Sequence, residues 1–225
     1  MVMVKINLNN KEELDKFYNK NNIIYKKLSN LKNLNLRDRL RLSKISLNIG
    51  FIHEFRNNID ESIKYYNKSY HLNRCSRSSY SLGKIFYYKK EYDKALKYFL
   101  DSAIFNNESA HYMAAKIYYL KKDFKNCEDN LIKASKLGDI ESIFILSKFY
   151  YNKGLYDKAY DFAIKLIDNE NDELRNTILT ILVLVKCNQK KFNQALLYHN
   201  KLDDKFKENN KKIIESFKGE YFDFE

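Results

Sequence analysis

The segment KIFYYKK at residues 84–90 recurs as KIYYLKK at residues 116–122 and again, shortened, as KFYYNK at residues 148–153. The first lysine of each copy, Lys84, Lys116 and Lys148, stands 32 residues after the one before. A fixed period of this size is typical of proteins built from repeated helical hairpins. The repeat therefore predicts an all-α chain in which neighbouring hairpins stack.

The composition agrees with helices and gives the chain a strong positive charge. The 225 residues contain no Pro and only 5 Gly, so few residues would interrupt a helix. The formal net charge is +12, which favours acidic proteins, nucleic acid or an anionic surface as partners. Residues 1–42 carry ten basic and four acidic residues, and hence +6 of this charge.

A second regularity links the two helices of each predicted hairpin. Five pairs of mostly small residues stand 12 positions apart: Gly50 and Ser62, Gly83 and Ala95, Ala115 and Cys127, Ser147 and Ala159, Val183 and Ala195. Small side chains allow two antiparallel helices to approach closely, while a neighbouring aromatic ring fills the space between repeats.

From about Ser43 to Asp204 the chain resembles the tetratricopeptide repeat (TPR) family, best at Leu82-Gly83 and Phe86, followed by Ala95 and Phe99. The turn at residues 134–139 resembles the related Sel-like repeat. The resemblance implies an α–α superhelix (solenoid) of about five TPR-like helix pairs with terminal capping helices. It divides the chain into a basic N-terminal helical cap (1–42), a repeat array (43–206), and a C-terminal capping helix with an acidic, aromatic tail (207–225).

The resemblance also implies a binding surface, because the first helices of stacked TPR-like pairs line a concave groove. Helical spacing places nine residues on the corresponding face, here called the lysine–aromatic set: Tyr80, Lys84, Tyr87, Tyr112, Lys116, Tyr119, Phe144, Lys148 and Tyr151. Lysines attract carboxylates, and the rings offer flat apolar contact. The expected partner is another protein that presents an extended acidic or aromatic–acidic segment. The equivalent positions of the first and fifth repeats lack this pattern, so the expected site is confined to the middle repeats; these positions are Leu47, Phe51, Glu54, Thr180, Leu184 and Cys187. A plain solvated helix face remains an alternative for the set.

Two other interpretations remain open. The tail, with Glu220, Asp223 and Glu225 among aromatic residues, could dock in the chain's own groove or a neighbour's, or merely cover the last helix. The basic N-terminal segment could bind RNA or another nucleic acid through phosphates. Its cations are Lys26, Lys27, Lys32, Arg37, Arg39 and Arg41.

No pattern in the sequence indicates catalysis, a cofactor or a metal site. The four histidines, His53, His71, His111 and His199, are scattered, and no nucleotide-binding or zinc motif is present. The three cysteines are scattered too, which favours a reducing compartment. Residues 1–14 lack the apolar core of a signal peptide, and no apolar run approaches the ~20 residues that span a membrane. The sequence thus predicts a non-enzymatic adaptor in the cytoplasm, with no membrane partner.

Overall fold

A computed structural model describes residues 10–208, 210 and 211, and in these residues it contains helices and no β-strand. The predicted all-α class is therefore confirmed for this part of the chain. The α-helices are α1 (Lys11–Ser29), α2 (Leu36–Phe55), α3 (Ile59–Asn73), α4 (Ser76–Tyr88), α5 (Tyr92–Ala103), α6 (Glu108–Leu120), α7 (Phe124–Lys136), α8 (Ile140–Asn152), α9 (Tyr156–Ala163), α10 (Asp172–Asn188) and α11 (Phe192–His199). A short 3-10 helix, Ile164–Leu166, extends α9.

The chain forms two compact units, Met1–Ile117 and Tyr118–Glu225. In the first unit α2 packs against α1 and α3, and α4 packs against α3 and α5. In the second, α8 packs against α7 and α9, and α10 packs against α9 and α11. Consecutive helices therefore pair within each unit, as the repeat predicts. The domain limits at residues 42 and 206 stay a prediction.

One sequence-based expectation about the N-terminal region was wrong. The sequence pattern predicts a helix that ends near Asn19 and a second one from Ile23, whereas α1 runs without a break. Asn10 followed by Glu13 resembles a capping box and so predicts an N-cap at Asn10. This N-cap is confirmed, since Asn10 Oδ1 accepts a hydrogen bond from the backbone N–H of Glu13 at 3.2 Å. The helix continues through Asn21 because the side chain of this residue is buried and hydrogen-bonded. Its Nδ2 donates to Phe17 O at 2.7 Å, and its Oδ1 accepts from Asn48 on α2 at 3.1 Å.

The small residues of the 12-residue pairs lie where the sequence predicted them, inside the hairpins. All ten are buried except Cys127, which is half-buried. Gly50 lies against the ring of Tyr66, and Gly83 lies against the ring of Phe99. Both rings are almost wholly buried, at 1% and 0% exposure. The glycines of the first helices thus leave room for aromatic rings of the second helices.

The turn inside each hairpin uses one residue with a left-handed backbone. These residues are Asn57, Lys90, Lys122, Gly154 and Lys190, with φ between 59° and 71°. A glycine that directly follows a helix predicts a positive φ at Gly138 and Gly154, and this is confirmed, at 95° and 71°. In the left-handed region the Cβ of a lysine has a steric cost, which glycine avoids because it has no Cβ.

Replacing Lys90 with glycine should therefore stabilise the protein. We expect Lys90→Gly to raise the free energy of unfolding by about 0.5–1 kcal/mol, measured by urea denaturation. Lys90→Ala is the matched control, because it removes the same charge but keeps a Cβ at φ 61°. An equal gain in Lys90→Ala would mean that charge, and not backbone strain, is responsible.

His53 on α2 gives the N-terminal region a pH dependence. Its ring stacks on Tyr65 at 5.4 Å between centroids and meets the edge of Tyr18 at 5.6 Å. Burial lowers the pKa of His53, with Arg56 and Lys64 adding to the effect and Glu61 opposing it. Because the unfolded chain then binds a proton more readily than the folded one, stability falls as pH drops below the ordinary value of 6.5.

We therefore expect the free energy of unfolding to decline between pH 7 and pH 5 more steeply in the wild type than in His53→Gln. Chemical denaturation at several pH values measures this difference. Parallel curves for the two proteins would show that protonation of His53 is not coupled to folding.

Candidate partner-binding surface

A cavity of about 330 Å³ lies in the first unit, between α2 and α4. Two members of the lysine–aromatic set, Tyr80 and Lys84, line it. The other lining residues come from α2, α3, α4 and the position just before α6: Leu47, Asn48, Phe51, Glu54, Tyr66, Arg77, Ser81 and Asn107. The cavity therefore combines an apolar wall, formed by Leu47 and Phe51, with charged groups at its edge.

Glu54 is the feature of this cavity that sequence reasoning missed. Its carboxylate accepts a hydrogen bond from Tyr66 Oη at 2.5 Å and lies 3.4 Å from Lys84 Nζ. Burial raises the pKa of Tyr66 well above its usual range, and the bond to Glu54 adds to this. Lys84 Nζ is also 5.9 Å from the centre of the Tyr80 ring. The charge of Lys84 is thus partly neutralised within the chain.

Lys116 is placed differently, between two aromatic rings. Its Nζ lies 5.6 Å from the ring centres of both Tyr87 on α4 and Tyr112 on its own helix. Lysine side chains at such distances are attracted to the faces of aromatic rings. The described residues place no carboxylate within 4.0 Å of Lys116, whose side chain is exposed. Lys116 therefore offers a positive charge that a partner can reach.

The second unit holds the remaining members of the set. Lys148 Nζ lies 5.3 Å from the centre of the Phe144 ring, one turn earlier on α8. Tyr151 Oη accepts a hydrogen bond from Asn188 Nδ2 on α10 at 3.3 Å, and burial raises the pKa of Tyr151. Tyr119 is 64% exposed and meets the edge of Phe124 at 6.0 Å. Lys148 is exposed, as Lys116 is.

The structure brings some of the predicted residues together and adds others. Tyr87, Tyr112 and Lys116 meet across two helices, and Tyr80 and Lys84 share the cavity. Phe51, Glu54 and Arg77 join that cavity, although the sequence analysis did not include them in the expected site. Helical spacing assigns Phe51 and Glu54 to the equivalent face of the first repeat, but they lack the lysine–aromatic pattern and were therefore not expected in the site.

Neither a metal-binding cluster nor a membrane-crossing helix is found in the described part of the chain. This part holds no group of three or more His, Cys, Asp or Glu residues arranged around a common point, and none of its helices combines the length and apolarity needed to cross a bilayer. Burial raises the pKa of the Cys127 thiol, and Asp123 and Glu128 add to the effect. This disfavours the reactive thiolate form. The tail at residues 220–225 lies outside the described residues.

Comparison with known proteins identifies the repeat. Residues 43–74 match the family model of the tetratricopeptide repeat. No curated protein matches the sequence. The fold resembles that of solved TPR and Sel1 repeat proteins, so the predicted resemblance is confirmed.

Three solved structures illustrate the likeness. The first is YrrB, described as "a TPR protein with an unusual peptide-binding site" (17% identity, covering 76% of this chain and 92% of that chain, TM-score 0.53). The second is a Sel1 repeat protein from Oxalobacter formigenes (16% identity, covering 95% of this chain and 91% of that chain, TM-score 0.55). The third is MamA (18% identity, covering 80% of this chain and 95% of that chain, TM-score 0.52). At these identities the likeness concerns the fold.

Proposed function

We propose that this helical-repeat chain, with a tetratricopeptide repeat at residues 43–74, is a non-enzymatic adaptor that binds an extended acidic segment of a partner protein. The binding surface is the lysine–aromatic set. The single observation that carries the proposal is the position of Lys116, exposed between the rings of Tyr87 and Tyr112. TPR proteins generally mediate contacts between proteins, and YrrB is described as having a peptide-binding site.

The physical argument begins with charge. A carboxylate that approaches Lys116 meets a cation whose water has been partly replaced by two ring faces. The rings also provide apolar contact at a small loss of conformational entropy, since a tyrosine has only two side-chain torsions. Acidic residues of the partner would pair with Lys116 and Lys148, while its aromatic residues would lie against the tyrosines.

The cavity between α2 and α4 adds a position for one large apolar side chain of the partner. Its volume of about 330 Å³ accommodates a phenylalanine or tyrosine ring, and Leu47 and Phe51 provide apolar contact. Arg77 at its edge can pair with a neighbouring carboxylate of the same segment. This arrangement favours a partner in which acidic and aromatic residues alternate.

The proposed role requires neither a cofactor nor a catalytic residue, and we place the protein in the cytoplasm because no disulfide joins Cys75, Cys127 and Cys187 in the described part of the chain. We do not propose nucleic-acid binding, because neither the family match nor the compared structures point to it.

Peptide titration tests the proposal. A labelled peptide that alternates Asp and Glu with Tyr and Phe should bind the full chain, measured by fluorescence anisotropy. Its counterpart with Asn and Gln in place of the acids should bind about tenfold or more weakly, since it loses the charge pairs. Equal affinity for the two peptides would contradict the proposal.

A further inference from the structure

The end of the α1–α2 hairpin combines exposed leucines with cations. Within residues 31–41 the exposed leucines are Leu31 at 44%, Leu36 at 63% and Leu40 at 41%. The same eleven residues contain Lys32, Arg37, Arg39 and Arg41, and one acid, Asp38. These seven leucines and cations are here called the α1–α2 tip.

Helical geometry explains how the tip is arranged on α2. Leu36 and Leu40 are four residues apart and form one ridge. Arg37 and Arg41 form a parallel ridge on one side, and Arg39 lies on the other. The side of α2 that faces the core is opposite, and it carries the buried Leu42, Ile45 and Ile49. The leucine ridge therefore points away from the core, with cations on both of its flanks.

The cations of the tip are not paired within the described part of the chain. None of Lys32, Arg37, Arg39 and Arg41 has a carboxylate within 4.0 Å there. Asp38 instead accepts a hydrogen bond from Asn35 Nδ2 at 2.8 Å and helps to cap α2. Lys26 and Lys27 in the last turn of α1 add two more cations beside the tip.

We propose that the α1–α2 tip binds the surface of an anionic lipid bilayer. Leucines between cations suit this surface, because apolar side chains enter the boundary between headgroups and acyl chains while Arg and Lys remain with the phosphates. Basic residues beside a membrane are attracted by the negative potential of anionic lipids. A nucleic acid would use the same cations but would leave the leucines exposed to water.

This surface contact is compatible with the lack of a spanning helix in the described residues. The sequence-based expectation of no membrane partner considered only segments that cross the bilayer. A peripheral contact needs only a short patch of apolar and basic side chains.

Vesicle co-sedimentation of the full chain tests the proposal. The protein should sediment with vesicles that contain phosphatidylserine and should remain in solution with phosphatidylcholine alone. The variant Arg37→Glu, Arg39→Glu, Arg41→Glu should bind about 100-fold more weakly, because each cation near an anionic surface contributes substantially to binding. The variant Leu31→Ser, Leu36→Ser, Leu40→Ser should lose about tenfold, since apolar insertion also contributes.

A matched control is Lys125→Glu, Lys133→Glu, Lys136→Glu, which changes the net charge equally at three exposed lysines of α7. It should bind vesicles nearly as the wild type does. Circular dichroism confirms that each variant is folded, and the leucine variant is an independent test if charge reversal unfolds the chain. Failure to sediment with anionic vesicles would overturn the proposal. Vesicle binding by the leucine variant as tight as that of the wild type would also overturn it. The same holds if the wild type and the leucine variant retain single-stranded RNA but do not bind vesicles.

Discussion

Gly83→Ala should lower the free energy of unfolding by about 1–2 kcal/mol, although alanine is the better helix former. A Cβ at position 83 would lie 2.7 Å from Cδ1 and 2.8 Å from Cε1 of Phe99. Phe99 is 0% exposed, so its ring cannot move into solvent. Because these contacts are below 3.0 Å and the ring is fully buried, overpacking should cost about 2–3 kcal/mol, the upper part of its usual range, and so outweigh the gain of about 1 kcal/mol in helix propensity. Urea denaturation followed by circular dichroism measures the change.

A double-mutant cycle with Phe99→Leu gives the control. Leucine lacks the rigid ring, so Gly83→Ala should cost less, or even stabilise the protein, in the Phe99→Leu background. The same loss in both backgrounds would show that the ring is not the cause. Gly50→Ala should also lower the free energy of unfolding, because its Cβ would lie 2.7 Å from Cδ1 of Tyr66. That ring is held in place by its hydrogen bond to Glu54.

Reversing the three lysines of the lysine–aromatic set should weaken binding of the acidic–aromatic peptide by about 100-fold. The variant is Lys84→Glu, Lys116→Glu, Lys148→Glu, and the estimate assumes about 1 kcal/mol for each reversed charge. Anisotropy titration measures the affinity. The variant with glutamates at positions 125, 133 and 136 is the control, because it has the same net charge and leaves the set intact.

The three lysines should not contribute equally. Lys84 already lies 3.4 Å from the Glu54 carboxylate, so part of its charge is neutralised. Glu54→Gln should release this charge while an amide oxygen can still accept the hydrogen bond from Tyr66. We therefore expect Glu54→Gln to bind the acidic peptide more tightly. Unchanged or weaker binding by that variant would show that Glu54 does not oppose the partner.

The repeat explains why so much of the fold could be predicted. Two regularities carried the prediction: the period of the lysine segments and the 12-residue spacing of small residues. Both depend on contacts inside one hairpin, where residues that are close in the sequence are also close in space. Gly83 and Phe99 illustrate this, since both were assigned to packing positions and both are buried. The break predicted at Asn19–Asn22 was wrong, because Asn21 finds its partner on another helix, at Asn48.

The binding surface was less predictable because its decisive contacts join residues that are far apart in sequence. Glu54 and Lys84 are separated by 30 positions, and nothing in either local segment indicates that they pair. Pairs of hydrogen-bonded serines show the same limit. Ser43 and Ser69 bond each other at 3.1 Å, and Ser76 and Ser102 do so at 2.9 Å, although each serine alone is an unremarkable residue. Helical spacing places a side chain on a face, but the packing of neighbouring helices determines its partner.

The most direct test of the proposed function is the effect of Lys116→Glu alone on binding of the acidic–aromatic peptide to the folded protein. The exposed Nζ between Tyr87 and Tyr112 predicts a loss of about tenfold, which should shrink as salt is added. Wild-type affinity in the folded Lys116→Glu variant, at low as well as high salt, would contradict a lysine–aromatic binding surface.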